Sequence, residues 1–165
     1  MKRSLLFLGL AVLLGSFSSC NKHSKKEVYA NVPVYMDWES FRTSFAFESG
    51  LHILENAGNI YVHDNFVLIN DIDKGIHVYD NSNPSDPTPI GFMNIPGNTQ
   101  MACQGNTLYA DSFTDLLCIN ISNMNNPTLI SREQDVFTYS LPMIDDGYPI
   151  ADIDKSQGVV IDWNI

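Results

Sequence analysis

Residues 65–90 read NFVLINDIDKGIHVYDNSNPSDPTPI, and residues 105–130 read GNTLYADSFTDLLCINISNMNNPTLI. A shift of 40 residues lays one stretch on the other without a gap. It matches Leu68 with Leu108, Asp71 with Asp111, Ser82-Asn83 with Ser122-Asn123, Pro87-Thr88 with Pro127-Thr128 and Ile90 with Ile130. Between these, Ile76 falls on Leu116, Val78 on Cys118, Tyr79 on Ile119 and Asp80 on Asn120. Self-similarity at a fixed period marks an array of supersecondary units, each burying its apolar face on a neighbour. A third, partial copy opens at Ile150, where Ala151-Asp152-Ile153-Asp154-Lys155 echoes Asn70-Asp71-Ile72-Asp73-Lys74 and residues 158–162 loosely echo 75–80.

Each copy predicts strands: 66–70, 75–80 and 88–93 in the first, 107–111, 116–121 and 128–132 in the second. These runs are short and rich in β-branched and aromatic residues. Clusters such as Asn81-Ser82-Asn83-Pro84-Ser85-Asp86-Pro87 separate them, with prolines that cannot continue a ladder and Asn or Asp side chains that close turns on their own backbone. Nothing after residue 50 has helical periodicity. A period near 40 with three or four short strands per unit fits propeller blades better than a sandwich. The expected class is all-β, a partial β-propeller of about two to three blades with repeats of about 40 residues. Upstream, residues 38–47 predict one short helix capped by Ser40, with an extra strand as the alternative.

The N-terminus reads as an export signal. Lys2 and Arg3 precede the apolar run from Leu5 to Leu14, and Gly15, Ser16, Ser18 and Ser19 lead into Cys20. That run falls short of the roughly 20 residues a helix needs to cross a bilayer, and no later segment is apolar enough. Small residues running into a cysteine resemble the lipobox of lipoprotein signal peptides, although Phe17 stands where Leu is usual. The resemblance implies cleavage before Cys20 and lipid on its thiol, and acyl chains anchor because each buried methylene contributes about 0.8 kcal/mol. Asn21, rather than Asp, resembles an outer-membrane destination in lipoprotein sorting. The expected division is 1–19 leader, 20–31 lipidated tether, 32–57 lead-in and 58–165 β-repeat region. The expected location is the cell envelope, on the outer membrane.

Without the leader the chain carries seven Lys or Arg against nineteen Asp or Glu, a formal charge near −12. Three of those cations, Lys22, Lys25 and Lys26, sit in the tether, leaving Arg42, Lys74, Arg132 and Lys155 for the folded part. Such a surface repels phosphate backbones and excludes nucleic acid as a partner. Apart from Cys20, the cysteines are Cys103 and Cys118. A hairpin turning at 112–114 places Cys118 opposite Leu108, five residues from Cys103, or about 17 Å at the strand rise, so two buried thiols are expected rather than a bridge.

The segments Gly75-Ile76-His77-Val78-Tyr79-Asp80-Asn81-Ser82-Asn83-Pro84, Ile95-Pro96-Gly97-Asn98 and Leu108-Tyr109-Ala110-Asp111-Ser112 resemble the LVIVD-repeat proteins, many of them lipoproteins of Gram-negative bacteria. The similarity runs over roughly 58–162, and Val32-Pro33-Val34-Tyr35-Met36 resembles the lead-in of such proteins. The resemblance implies a β-propeller-like fold and an exported setting. It implies no reaction, cofactor or catalytic residue. Family members expected to close a ring are much longer, so the chain reads as the first blades, ending on an apolar strand with nothing following to cover it.

Site chemistry has few candidates. Asp71 and Asp73, like Asp152 and Asp154, have the alternate-carboxylate spacing that opens a calcium loop. Gly75 and Ser156 occupy the next ligand position, and Ser82 and Trp163 the place of the closing Glu, so a hairpin turn is the better reading. His63 and His77 lack the spacing of a metal pair and read as ordinary strand residues. Ser82, Ser112 and Ser122 lie in turns with no nucleophile elbow. Tyr35, Trp38, Phe41 and Phe45 would suit a carbohydrate surface or, more commonly, a core edge. The functional expectation is a noncatalytic envelope protein presenting a surface to a protein or glycan ligand, without cofactor and with a tendency to self-associate through open sheet edges. The alternatives are a propeller-type polysaccharide hydrolase or lyase with Asp71, Asp80 and Asp111 lining a channel, or a truncated chain without activity of its own.

Overall fold

The computed structural model describes residues 29–165; the leader, Cys20 and the tether through residue 28 lie outside them. The described chain is nearly all β. Strands β3 (Ala57–His63), β4 (Phe66–Asp71), β5 (Gly75–Asp80) and β6 (Thr88–Asn94) form an antiparallel meander, and β2 (Ala46–Ser49) adds to the far side of β6. Strands β7 (Met101–Gln104), β8 (Thr107–Ser112), β9 (Asp115–Asn120) and β10 (Thr128–Glu133) form a second meander. These are two propeller-like blades. A further two-stranded sheet joins β1 (Val32–Met36) to β11 (Val159–Asn164).

The turns are built as their composition dictates, and identically in the two blades. Asp80 Oδ1 accepts the Ser82 amide at 2.8 Å and Asn120 Oδ1 the Ser122 amide at 2.9 Å. Asn83 and Asn123 likewise accept the amides of Ser85 and Asn125. The blades then pack face to face. Leu68, Ile76, Val78 and Met93 of the first and Leu108, Ala110, Leu117 and Ile119 of the second form one buried cluster.

The blades do not superpose at a single shift. Strand β4 closes on β5 through Ile72, Asp73 and Lys74, whereas β8 closes on β9 through Phe113 and Thr114 alone. Leu68 therefore pairs with Val78, but Leu108 pairs with Ile119. At the other end, His63 pairs with Phe66 and Gln104 with Thr107, which sets β7–β8 on β3–β4 at 41 residues while β9–β10 keep the shift of 40. Because side chains alternate, a one-residue slip exchanges faces. The rungs that carry Val67, Ile69, His77 and Tyr79 outward in the first blade carry Leu108, Ala110, Leu117 and Ile119 inward in the second. The same slip puts Cys118 opposite Tyr109, not Leu108, and on the other face of the sheet from Cys103, which pairs with Leu108. Both thiols are free and half-buried rather than buried. Burial pushes the Cys103 thiol up to about 11.

The lead-in corrects two expectations. Residues 38–47 supply both the helix and the strand: α1 (Trp38–Arg42) is capped by Asp37, whose carboxylate accepts the amides of Glu39 and Ser40, and the chain then enters β2. Ser40 lies inside the helix. The final strand is not left bare, because β1 pairs with it from Val32–Asn164 to Met36–Val159. Gly158, at φ +133°, makes this approach possible, since a Cβ there would collide with the Met36 carbonyl. Phe41, Phe113 and Val159 form a second small core beneath this sheet. Asp154, in the partial third copy, accepts the Ser156 amide at 3.0 Å and starts a 3-10 turn (Lys155–Gln157).

Candidate functional site

The turns joining β4 to β5 and β6 to β7 meet at one end of the blades. Asp73 donates its amide to Asn98 O at 2.9 Å and accepts from Gly97 N at 2.8 Å, and Lys74 O accepts from Ile95 N at 3.0 Å. Beside this knot lies a cleft of about 540 Å³, walled by the segment 51–55 on one side and by β1 and β11 on the other, with His77 and Phe92 at its floor.

Asp71 is buried at the edge of that cleft, and its two oxygens accept the amides of Glu55 at 3.0 Å and Asn56 at 2.9 Å, with His77 Nε2 at 3.3 Å. Burial pushes its carboxyl up, but the two amides and His77 together outweigh burial and hold it below the ordinary carboxylate value. Asp111 does the same work in the second blade. Its Oδ1 accepts the amides of Thr99 at 2.7 Å and Gln100 at 2.9 Å, and its Oδ2 takes the Thr99 hydroxyl at 2.6 Å. Each aspartate thus ties down the two residues that lead into the first strand of its blade. A buried amide left without an acceptor costs about 1–3 kcal/mol, so these carboxylates are structural clamps.

Asp73 differs. Its backbone is left-handed at φ +65°, as a turn residue of this type tolerates. Its carboxyl accepts no hydrogen bond within the described residues. It is held above the ordinary value by burial and then by the Asp111 charge. Asp73 borders both the main cleft and a second hollow of about 380 Å³ between the blade ends. Lys74 pairs with Glu55 at the mouth. His52 stacks on Phe92 with ring centroids 5.4 Å apart, and Phe92 packs on His77 at 4.7 Å.

The segment 51–54 has its own character. It is extended and alternates in burial, Leu51 being 76% exposed and Ile53 84% exposed while His52 and Leu54 turn inward. Among the described residues no backbone hydrogen bond engages its amides or carbonyls; such contacts resume at Gly50 N, on Ile90 O, and at Glu55 N, on Asp71. It leads from β2, at one edge of the five-stranded sheet, across β6 and β5 to Asp71 on β4, before the chain enters β3 at the other edge.

The other sequence candidates are dispersed. Asp80 caps a turn at the opposite end of the strands from Asp71, so Asp71, Asp80 and Asp111 do not converge on a channel. His63 and His77 lie three rungs apart and on opposite faces. Ser112 is buried and donates to Pro96 O at 2.8 Å, while Ser82 and Ser122 remain turn residues. Of the aromatic set, Phe41 and Phe45 pack into cores, and Tyr35 Oη accepts the Asp154 amide at 2.8 Å. The composition did not reveal a buried charge cluster on the second blade. Asp115, fully buried, is met by Arg132 Nη1 at 3.2 Å, Arg42 Nε at 3.6 Å and the Asp135 amide at 3.1 Å, with Phe41 stacked against the Arg132 guanidinium. It ties α1 to β9 and β10.

The family model of the LVIVD repeat matches residues 55–94 and 97–135, which are the two blades with their clamped entry segments. No curated protein and no solved structure matches the chain. This chain thus carries two adjacent LVIVD repeats, each folded as a propeller-like blade.

Proposed function

We propose that the chain is a noncatalytic, envelope-anchored recognition protein that takes an extended segment of a protein partner along residues 51–54, beside the Asp73 cleft. The carrying observation is the open run from Leu51 to Leu54, with unengaged backbone groups and two exposed apolar side chains on one side. Addition of a strand supplies main-chain hydrogen bonds for affinity, and pockets for alternate side chains supply selectivity. The cleft is of a size that takes one or two side chains, and Asp73 and the Glu55–Lys74 pair at its mouth would select a polar or cationic one. Lipid on Cys20 would hold this surface at the membrane. The three acids of the catalytic alternative, Asp71, Asp80 and Asp111, accept backbone amides, which favours recognition over catalysis.

Panning the full chain in detergent against a displayed library of random peptides, with a glycan array run in parallel, tests this reading. Peptides with apolar residues at alternate positions should be enriched, and Ile53→Pro, which removes one amide of the open run, should weaken them at least tenfold. Enrichment on the glycan array alone, or peptides indifferent to Ile53→Pro, would replace the reading with a glycan site or with none along this segment.

A further inference from the structure

We infer that copies of this chain dock head to tail, the outer face of the first blade on the outer face of the second, repeating between molecules the contact that the two blades make within one. The first blade turns an apolar face away from the second. Ile60 and Val62 on β3 are 66% and 62% exposed, and Val67, Ile69 and Tyr79 continue the same face around a hollow of about 330 Å³. None of these five side chains is charged; the Ile60–Ile69 rung runs on through His77, which is buried, and Phe92 to Glu48 at the far edge of the sheet. Scattered exposed apolar residues need no explanation, but a contiguous apolar sheet face marks an interaction surface.

The ladder registers say what fits it. In the second blade the rungs equivalent to Val67, Ile69, His77 and Tyr79 carry Leu108, Ala110, Leu117 and Ile119, which are buried against the first blade. The open face is therefore of the kind that, one repeat later, is covered by a face bearing Leu68, Ile76 and Val78. The equivalents of those three are Tyr109, Leu116 and Cys118. They lie on the outer side of the second blade, half-buried and joined by Phe137, itself 42% exposed. One molecule thus carries both halves of an interface that it already forms internally. The contact is heterologous, so it propagates into arcs or closes into a ring according to the angle between blades.

The native thiol of Cys118 makes the contact testable. In the full chain with Cys20→Ser and Cys103→Ser, a thiol introduced by Val67→Cys or Ile69→Cys cannot bridge to Cys118 of the same molecule. Packed sheets stand about 10 Å apart and both side chains point outward, beyond the roughly 7 Å a disulfide spans. Mild oxidation of mixed light and ¹⁵N-labelled chains in detergent should give a ladder of covalent oligomers, with peptides around residues 67–69 joined to the Cys118 peptide across the two labels. A control thiol from Asp86→Cys, on the exposed loop after β5, should give at least tenfold less. Without oxidation, the full chain should sediment as dimers or larger, and Ile69→Asp should shift it to monomer with unchanged far-ultraviolet circular dichroism. Monomeric sedimentation at tens of micromolar, cross-linking no faster than at residue 86, or coverage of the face by residues 1–28 of the same chain would each overturn the inference.

Discussion

Asp71 and Asp73 stand two positions apart on one turn and behave oppositely. The Asp71 carboxylate is engaged on both oxygens and held below its ordinary value, whereas Asp73 is half-buried, unengaged and held above it. An acid whose folded value is raised is destabilising once ionised: stability is greatest with the carboxyl protonated and falls as pH rises through the raised value. Asp73→Asn removes that cost while keeping a residue that accepts the left-handed backbone. It should therefore raise the melting temperature by about 2–4 °C at pH 7, an effect of about 0.5–1 kcal/mol, and by nothing at pH 3, where both forms are neutral. Scanning calorimetry at the two values checks it. The Asp-x-Asp pattern and its place in a turn were legible in the sequence. That its first acid clamps the amides of Glu55 and Asn56 was not legible, because those donors lie in a segment without pattern of its own.

At the scale of elements, the last three strands of each blade were readable because the Asn, Ser and Pro clusters between them impose turns whatever packs around them, whereas β3 and β7, which lack such punctuation, were not. Nor was the register. The gapless match at 40 residues conceals a β8–β9 hairpin shortened by one residue and a shift of 41 in the two strands before it, and sequence identity at Leu68 and Leu108 conceals their opposite placement in the repeat. The pairing of β1 with β11 was likewise hidden, since two strands at opposite ends of the chain share no local signal. Gly158 is where that pairing is most vulnerable. Gly158→Ala sets a methyl against the Met36 carbonyl at φ +133° and should cost about 2–3 kcal/mol, measured by urea unfolding. The amides around the smaller core of Phe41, Phe113 and Val159 should lose the most protection from exchange.

At the scale of the whole molecule, the two blades share one apolar cluster and the lead-in is stitched to them at β2, α1 and β1, so the described chain should melt in one transition. Anchoring rests on residues outside it. Cys20→Ala should abolish incorporation of a clickable fatty acid and move the protein from the membrane fraction to the soluble one; unlabelled protein that stays with the membrane would rule out the lipid anchor. The central structural claim is that an aspartate clamps the entry to each blade and is committed to the backbone rather than to an ion. Hydrogen exchange at single-amide resolution on the full chain, with and without millimolar calcium, addresses it directly. The amides of Glu55, Asn56, Thr99 and Gln100 should be slow in both conditions, with Asp71→Ala releasing the first pair and Asp111→Ala the second. Amides that exchange freely in the unmodified chain, or that slow only when calcium is added, would contradict it.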